Sequence, residues 1–506
     1  MSQDSPGGDE RERRSIRYYR QRLPIAPPSD MRLPTLLLCL TTLLANLSHA
    51  EVSTPATACS HCKERLLSLA ELRKHLPAEW RLETEREPVF GSEILVVQAG
   101  REHAQTLLLV HGLGQNGFTD WLPVMPALAS RYHVITLDLP GFGYSANPGG
   151  KYSPANYARV LSWLLSRHAK GQAIVAGHSM GGAVSLRLAS EYPQQIGKLI
   201  LIDAAGILQR TAFVKHSANA RMPLEARGGP AILQGAMARL RDLGNTAMEK
   251  ALGLPDPTRA LNSHDTVWNA LLGTRTNLNA AMALVEEDFS AAIHTLPHAT
   301  WVIWGEEDRI APLRTGHLLA RRLPRAQLLT LPGVGHTPME PASASLLLPV
   351  LEQALNSEPR PVSPSLPGEA DLVCREEHGK QYSGRFRRVL IEGCYGVQLR
   401  DISAQSMLIR DAIVDMRNVR LQGDRLGLEV INSELLATGG EISGDVALRM
   451  DNARVDLAGF VLDAQRHAVE AQRSSRLIGS ANAIRSPAYT GYWQGVEVIE
   501  AGILAP

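Results

Sequence analysis

Residues 177–182 read GHSMGG and place one serine, Ser179, between glycines at positions 177 and 181. The apolar run AIVA precedes this stretch, and AVSLRLASEYP, which has the pattern of a helix, follows it. A serine hydroxyl is a poor nucleophile unless a base lies beside it and hydrogen-bond donors face the oxygen on which negative charge develops. A sharp turn between a strand and a helix exposes such a serine, and glycines avoid steric collision around the turn. The pattern therefore predicts a nucleophile at the carboxyl edge of a sheet.

The two side chains that such a serine needs follow it in the chain. Asp308 comes after an apolar run in WGEEDRIAP, and His336 comes after the next apolar run in LPGVGHTPMEP. We expect His336 to take the Ser179 proton and later return it to the leaving group, while Asp308 holds the imidazole tautomer and stabilises its charged form. Asp203, at the end of an earlier apolar run, is the alternative acid.

The motif HGLG at 111–114 closes an earlier predicted strand and indicates an oxyanion hole. The predicted donors are the backbone N–H groups of Leu113 and Met180, because the first is next to this strand end and the second opens the helix after the serine. The predicted substrate-binding residues are Trp121, Phe142 and His178, with core packing or hydrogen bonding at the edge of the site as the alternative role for these side chains.

Seven short apolar runs predict the strands that position these residues. They lie at 93–98, 106–112, 133–141, 173–179, 198–206, 300–308 and 326–333. Because continuous apolar strands are typical of sheets buried on both faces, we expect an α/β fold with a mostly parallel sheet between helices. The interval 207–297 carries helical patterns instead, which predicts a helical cap within a domain spanning 88–355.

A Pro- and Ser-rich linker at 356–371 leads to a C-terminal domain, 372–506, of different texture. There the run NSEL at 432–435 recurs as NARV at 452–455, Gly439 recurs as Gly459, and Asp401 has an echo at Asp411. A period of about twenty residues predicts an all-β domain made of the stacked coils of a small parallel β-helix. An antiparallel β-sandwich is the alternative.

The N-terminal region has the pattern of an export signal. From Met31 the chain reads MRLPTLLLCLTTLLANLSHA, in which a basic start precedes an apolar run and small residues at 48 and 50 suit cleavage after Ala50. We assign 1–50 to an N-terminal extension with a signal peptide at about 31–50, and 51–87 to a charged helical segment. This predicts a periplasmic or secreted protein, with an uncleaved inner-membrane anchor as the alternative.

Export gives the cysteines a role. Cys39 lies within the signal, so four of the five cysteines are left in the mature chain, and an even number in an oxidising compartment predicts two local disulfides, Cys59–Cys62 and Cys374–Cys394. For the first pair, a redox site or half of a zinc site is the alternative. Elsewhere we predict no metal site and no cofactor. Three C-terminal aspartates lack calcium-binding spacing and are interpreted as turn residues: Asp415, Asp445 and Asp451.

The charge of the chain gives no indication of a polyanionic partner. Its 506 residues include 52 basic and 51 acidic side chains, a formal net charge of +1, so we predict no nucleic acid binding. The length predicts two or three domains.

Residues 88–355 resemble the α/β-hydrolase-fold serine hydrolases. The resemblance lies in LLLVHGLG, DLPGFGYS, GHSMGG, GEEDRIAP and GVGHTPMEP. Within that family, the cap and the LIDAAG strand resemble bacterial esterases and lipases. The resemblance implies hydrolysis of a small-molecule or lipid acyl ester through an acyl-serine intermediate.

Departures from the family pattern disfavour two subclasses. Haloalkane dehalogenases and epoxide hydrolases of this fold use an aspartate where Ser179 stands, and the epoxide hydrolases carry proline where this chain has Gly114. An acyltransferase or a carbon–carbon bond hydrolase with the same triad is an alternative function. In a third interpretation, the C-terminal domain is the main functional part and contacts a membrane or the cell envelope.

Overall fold

The protein is described from a computed structural model that covers residues 68–212, 265–360 and 366–504. The predicted signal peptide, the Cys59–Cys62 pair and residues 213–264 of the predicted cap lie outside these ranges.

The first sheet of the described residues has eight strands. They are β1 (Arg81–Arg86), β2 (Glu93–Ala99), β3 (Thr106–Val110), β4 (His133–Leu137), β5 (Ala173–His178), β6 (Ile196–Ile202), β7 (Ala299–Gly305) and β8 (Ala326–Leu331). Their order is β1-β2-β4-β3-β5-β6-β7-β8, with β2 antiparallel to both of its neighbours and all later pairs parallel. The order reverses at β3, between β4 and β5, and ligands of open α/β sheets bind at the carboxyl ends of strands at such a point.

Helices cover both faces of this sheet. The helices of the described residues are α1 (Leu69–His75), α2 (Met125–Ala129), α3 (Pro154–His168), α4 (Met180–Glu191), α5 (Asp265–Leu272), α6 (Thr276–Val285), α7 (Ser290–Thr295), α8 (Leu313–Arg322) and α9 (Ala344–Asn356). Leu108 packs in a core shared with α3, α4 and α8, whereas Leu107 and Leu109 pack in a core shared with α2 and α9. Because successive strand residues point to opposite faces, a strand between two helix layers must be apolar along its length. None of the described helices has the length and apolar character that crossing a membrane requires.

The predicted α/β class is confirmed, and a strand forms at each of the seven predicted apolar runs. Several predicted strands end early in the structure because their last residues form the loops of the site. Strand β1 lies in the segment 51–87 that we expect to be helical, so the helix prediction is wrong for these residues. Its residues, RLETER, form the sheet edge and none of them is buried, so no apolar run marks this strand.

The C-terminal domain is a second sheet, built from twelve strands in the described residues. They are β9 (Leu372–Arg375), β10 (Gln381–Arg385), β11 (Arg388–Glu392), β12 (Tyr395–Ala404), β13 (Ser406–Arg410), β14 (Ile413–Gln422), β15 (Leu426–Ile431), β16 (Glu434–Asp451), β17 (Arg454–Ala471), β18 (Ser475–Arg485), β19 (Thr490–Ile499) and β20 (Gly502–Ile503).

These strands stack in parallel as successive coils. One stack runs β9, β11, β13 and β15, and the other runs β10, β12 and β14; the two halves of the long strand β16 then join both stacks. Met407 pairs with Leu428, and Leu428 pairs with Leu448, an offset of about twenty residues per coil. The β-helix prediction is confirmed over the sandwich alternative, and antiparallel strands β19 and β20 complete the domain.

Residues with positive φ mark two corners of the coils. The first corner contains Gly393, Asp411, Asn432 and Asn452, and the second contains Asp401, Asn418, Gly439, Gly459 and Ala481. Glycine, asparagine and aspartate adopt this conformation most readily. The Nδ2 of Asn452 donates to Asn432 Oδ1 (3.0 Å), and the Nδ2 of Asn432 donates to Asp411 Oδ1 (3.2 Å). Asp401 and Asp411, whose neighbouring residues are similar in sequence, therefore lie at two different corners of the coils.

One predicted disulfide is confirmed in this domain. Cys374 in β9 is bonded to Cys394, which lies between β11 and β12, and both are buried.

Candidate active site

Ser179 lies in the turn between β5 and α4, with φ of 52° and ψ of −119°. Glycines make this turn sterically accessible: a Cβ on Gly177 would lie 2.2 Å from the carbonyl oxygen of Gly181, and one on Gly181 would lie 2.3 Å from that of Val110. The Ser179 N–H donates to the carbonyl of Ile202 (2.9 Å). The strained conformation, worth about 1–3 kcal/mol, is thus imposed by the surrounding backbone.

The loop after β3 packs directly on this turn. A Cβ added to Gly112 would lie 2.9 Å from the Cβ of Ser179. His111 fixes the loop because its Nδ1 donates to the carbonyl of Gly112 (2.7 Å) and its Nε2 accepts from the N–H of Leu139 (3.0 Å). Burial lowers the pKa of His111 to about 4, which keeps this ring neutral at pH 7.

The two predicted oxyanion donors belong to these neighbouring backbone segments. The half-buried Leu113 follows Gly112 in the loop, and the buried Met180 is the first residue of α4. The N-terminus of a helix carries partial positive charge from its free N–H groups, which suits an anion beside Ser179.

His336 connects the predicted nucleophile and the predicted acid. Its Nε2 lies 2.9 Å from the Oγ of Ser179, and its Nδ1 lies 2.7 Å from the Oδ2 of Asp308. The side chain of His336 is 13% exposed and that of Asp308 is fully buried. The three residues come from the loops after β5, β7 and β8, so parallel neighbours bring their carboxyl ends to one edge of the sheet.

Asp308 is oriented by the backbone that follows it. Its Oδ1 accepts the N–H groups of Ile310 (2.7 Å) and Ala311 (2.9 Å), which leaves Oδ2 for the imidazole. The carbonyl of Ala311 in turn accepts the indole Nε1–H of Trp304 (2.9 Å), a buried residue of β7. The loop that orients the Asp308 carboxylate is therefore itself held by a hydrogen bond from β7.

Asp203, the alternative acid, is buried beside Asp308 at the end of β6. Its Oδ1 accepts the N–H of Gly305 (2.8 Å), so its side chain ties β6 to the end of β7. Burial raises the pKa of the Asp203 carboxyl well above its usual range, and the charge of Asp308 raises it further. The direction of this shift favours a single negative charge in the pair, on the carboxylate that accepts from His336.

The side chain of His178 is turned toward the loop of His336. Its Nε2–H donates to the backbone carbonyl of His336 (2.6 Å), and the two ring centres are 5.0 Å apart. Burial lowers the pKa of His178 to about 3, and the His336 ring contributes further to this shift. In the described structure His178 is thus a neutral anchor for the loop that carries His336.

The other two predicted substrate-binding residues are buried in the hydrophobic cores. Phe142 makes an edge-on contact with the ring of His111, with 5.4 Å between ring centres. Trp121 packs in the core on the α9 side of the sheet, and both residues are at most 3% exposed.

Two further side chains shape the loops around the site. Asp138 accepts the N–H groups of Phe118 (2.6 Å) and Tyr144 (2.7 Å) and so joins the loops after β3 and β4. Asn277 of α6 accepts the N–H of Gly114 (3.1 Å). The bonds of His178 and Asn277 span 158 and 163 residues, and no local sequence signal announces such partners. In the described ranges, no three His, Cys, Asp or Glu side chains stand together as a metal-binding group.

A serine elbow, a histidine and a buried aspartate at the carboxyl edge of a mostly parallel sheet define a class of proteins. The chain belongs to the α/β-hydrolase fold family, and residues 105–342 match the sequence pattern of that family. The β-helix lies beyond the matched residues.

Relatives and solved structures each match about half of the chain. It is 33% identical over 269 residues to the 2-hydroxymuconate semialdehyde hydrolase of Pseudomonas sp., covering 49% of this chain and 87% of that protein. It is 29% identical over 255 residues to Lipase 1 of Psychrobacter immobilis, covering 49% and 76%. A crystal structure of a hydrolase from Pseudomonas aeruginosa is 22% identical, covers 55% of this chain and 99% of that one, and has a TM-score of 0.40.

Proposed function

We propose that the protein is an exported serine hydrolase that cleaves small-molecule or lipid acyl esters through an acyl-serine intermediate. The observation that supports this most directly is the position of His336 between Ser179 Oγ (2.9 Å) and Asp308 Oδ2 (2.7 Å). The similarity to Lipase 1 of Psychrobacter immobilis over 49% of the chain agrees with an ester substrate.

In the first half-reaction, Ser179 Oγ attacks the ester carbonyl carbon while His336 Nε2 takes the hydroxyl proton. The carbonyl π electrons move to oxygen, and the N–H groups of Leu113 and Met180 donate to this oxyanion. Asp308 accepts from Nδ1–H and stabilises the imidazolium. Collapse of the tetrahedral intermediate breaks the bond to the leaving alcohol, which receives the proton from Nε2 and leaves an acyl-serine.

In the second half-reaction, water takes the place of the alcohol. His336 Nε2 removes a proton from the water as its oxygen attacks the acyl carbon, and the same two N–H groups donate to the second oxyanion. Release of the carboxylic acid returns the proton to Ser179. One ester and one water thus give one alcohol and one acid.

We propose a periplasmic or secreted location on the basis of residues 31–50, and a membrane or cell-envelope contact for the C-terminal domain. Expression of the full chain in bacteria, followed by fractionation and N-terminal sequencing, tests both the location and the cleavage after Ala50. A mature chain that starts at Glu51 supports export, whereas an uncleaved cytoplasmic chain contradicts it.

A panel of p-nitrophenyl esters of increasing acyl length tests the function. We expect turnover by the wild type, and a loss of kcat of about 10⁵–10⁶-fold in Ser179→Ala. Ser166→Ala, which changes an exposed serine of α3, is the matched control and should keep wild-type kinetics. Absence of ester turnover by a folded wild type across the panel contradicts the proposal.

A carbon–carbon bond hydrolase is the second candidate, because the chain is 33% identical to a 2-hydroxymuconate semialdehyde hydrolase. Turnover of 2-hydroxymuconate semialdehyde with a larger kcat/KM than any ester in the panel would favour this function. Acyl transfer is separated from hydrolysis by adding competing alcohols and measuring whether a new ester or the free acid forms.

A further inference from the structure

Helix α8 joins the loop of the proposed triad acid to the C-terminal β-helix. Only four residues separate Asp308 from Leu313, the first residue of α8, and two of them donate their N–H groups to Asp308 Oδ1. A displacement of the first turn of α8 therefore has a short path to the carboxylate that accepts from His336.

The first turn of α8 is bonded to the β-helix through Arg314. Its guanidinium donates to both carboxylate oxygens of Asp456 (2.8 and 3.1 Å), to Thr438 Oγ1 (2.7 Å) and to the carbonyl of Ala437 (2.9 Å). The side chains of Arg314 and Asp456 are 9% and 5% exposed. All three NH-bearing nitrogens of the guanidinium thus have partners on two neighbouring coils of the β-helix.

Close packing surrounds these bonds. A Cβ added to Gly459 would lie 2.8 Å from the Cγ of Leu318 and 2.9 Å from the Cγ of Arg322, so α8 sits against the bare backbone of a β-helix corner. Ile478 and Ala481 of β18 are buried in the same core as Leu318. The β-helix and the hydrolase domain therefore share a core along α8.

The chemistry of the contact favours a geometric role over a purely stabilising one. A buried ion pair gains little stability over well-packed apolar residues of similar volume, because both charges lose their hydration. A bidentate arginine–carboxylate pair does fix distance and orientation together, which a hydrophobic contact does not. Such a contact is useful where a nearby group must be held within a few tenths of an ångström.

We propose that Arg314 is a positioning residue for the triad acid, and that the β-helix, through Asp456 and Thr438, holds α8 and hence the Asp308 loop in the geometry that His336 requires. The inference rests on the proposed serine hydrolase function. It gives the C-terminal domain a part in the reaction itself, besides any contact that its outer surface makes.

The test measures, in the full-length chain, how fast Ser179 reacts in those molecules that can be labelled. The variant Asp456→Asn weakens the bidentate pair. The rate at which a fluorophosphonate labels Ser179 is followed by intact mass. This rate is normalised to the fraction of the chains that is labelled when the reaction is complete. We expect this rate, and kcat for a p-nitrophenyl ester, to fall about tenfold with KM within about twofold, because misplacement of a catalytic group by less than 1 Å has effects of this size. We also expect the acid limb of the pH–rate profile to move to lower pH, since a displaced Asp308 stabilises the imidazolium less.

Two further variants make the result specific. Thr438→Val removes one bond to Arg314 at nearly constant volume, should lower the labelling rate about threefold and carries the test if Asp456→Asn fails to fold. Glu470→Gln breaks an ion pair to Arg449 (3.1 Å) in the other strand stack of the β-helix and should leave the labelling rate unchanged.

Unchanged rates per labelled serine and an unchanged pH profile in Asp456→Asn or Thr438→Val, even with a lower melting temperature, overturn the positioning role. An equal loss of rate in Glu470→Gln overturns it as well, because the effect is then a general one. If the wild type labels at Ser179 but hydrolyses no ester, the proposed function fails while the labelling rate still decides the role of Arg314.

Discussion

Replacing Asp308 by asparagine exchanges one carboxylate oxygen for an NH2 group. In the variant, the neutral ring of His336 carries its proton on Nε2 instead of Nδ1. In the wild type, Oδ1 of Asp308 accepts two backbone N–H groups and Oδ2 accepts the Nδ1–H of His336. An asparagine has one acceptor oxygen and one NH2 donor at these positions. The two N–H groups of the loop both require the oxygen, so the NH2 group is turned to His336 Nδ1. The imidazole then carries its proton on Nε2, where it can no longer accept the proton of Ser179.

The structure sets the size of this effect. Restoring the productive tautomer requires turning the NH2 group toward the N–H groups of Ile310 and Ala311, which loses two buried hydrogen bonds. Each loss costs about 1–3 kcal/mol, and about 1.4 kcal/mol corresponds to a factor of ten, so the productive form falls by a factor of about 30 to 10⁴. We expect kcat/KM of Asp308→Asn to fall by a factor within this range, while KM changes little.

Asp203→Asn is the matched control, because it makes the same exchange in the neighbouring carboxyl. Burial and the charge of Asp308 raise the pKa of Asp203 well above its usual range, which favours the neutral carboxyl. An amide is close in shape to a neutral carboxyl and still accepts from Gly305. We expect kcat/KM within about threefold of wild type, since hydrogen-bonding capacity is largely preserved. Steady-state kinetics and fluorophosphonate labelling of both variants measure the difference. A larger loss in Asp203→Asn than in Asp308→Asn contradicts the role given to Asp308 and makes Asp203 the acid.

Three further predictions concern the loops, the buried charge and the domain contact. His178→Phe keeps a ring but removes the donor to the His336 carbonyl. The free energy of unfolding in urea should therefore fall by about 1–3 kcal/mol, and kcat by about tenfold. An unchanged kcat would show that this bond does not hold the loop. Burial raises the pKa of Asp138 to about 7, so its stabilising contribution is complete below about pH 4 and is lost as the pH rises toward 7. Relative to Asp138→Asn, the wild type should therefore lose about 1.4 kcal/mol per pH unit in urea unfolding between pH 4 and 7, and equal slopes would contradict this. Gly459→Ala and Gly393→Ala share a φ of +66°, but only the first Cβ overlaps α8, so its cost in urea unfolding should be about 1–3 kcal/mol larger; equal costs would mean that α8 moves away freely.

Much of the fold could be predicted because its determinants are local or periodic. A strand buried between two helix layers must be apolar along its length, so strands such as β3 and β5 stand out. Asn432 and Asn452 recur because each coil of the β-helix needs a residue that tolerates positive φ at the same corner. Strand β1 carries neither signal, since a polar edge strand is specified by its pairing with β2 and not by its own residues.

The candidate site divides in the same way. Ser179, Asp308 and His336 could be predicted because a strained turn and two strand ends constrain the residues around them. The bond from His178 to the His336 loop and the contact of Arg314 with Asp456 depend on how distant parts of the chain meet. Arg314 has no local sequence signature, because the residues of α8 show only the pattern of an ordinary amphipathic helix.

Trapping the covalent intermediate shows directly whether Ser179 carries the acyl group during ester hydrolysis. The purified chain is reacted with a p-nitrophenyl ester, quenched in acid within the first turnover, and mapped by peptide mass spectrometry. We expect one acyl group per chain, on the peptide that contains Ser179, and none in the Ser179→Ala variant. An active enzyme whose acyl group lies on another residue, or that forms no acyl adduct while hydrolysing the ester, would contradict this expectation.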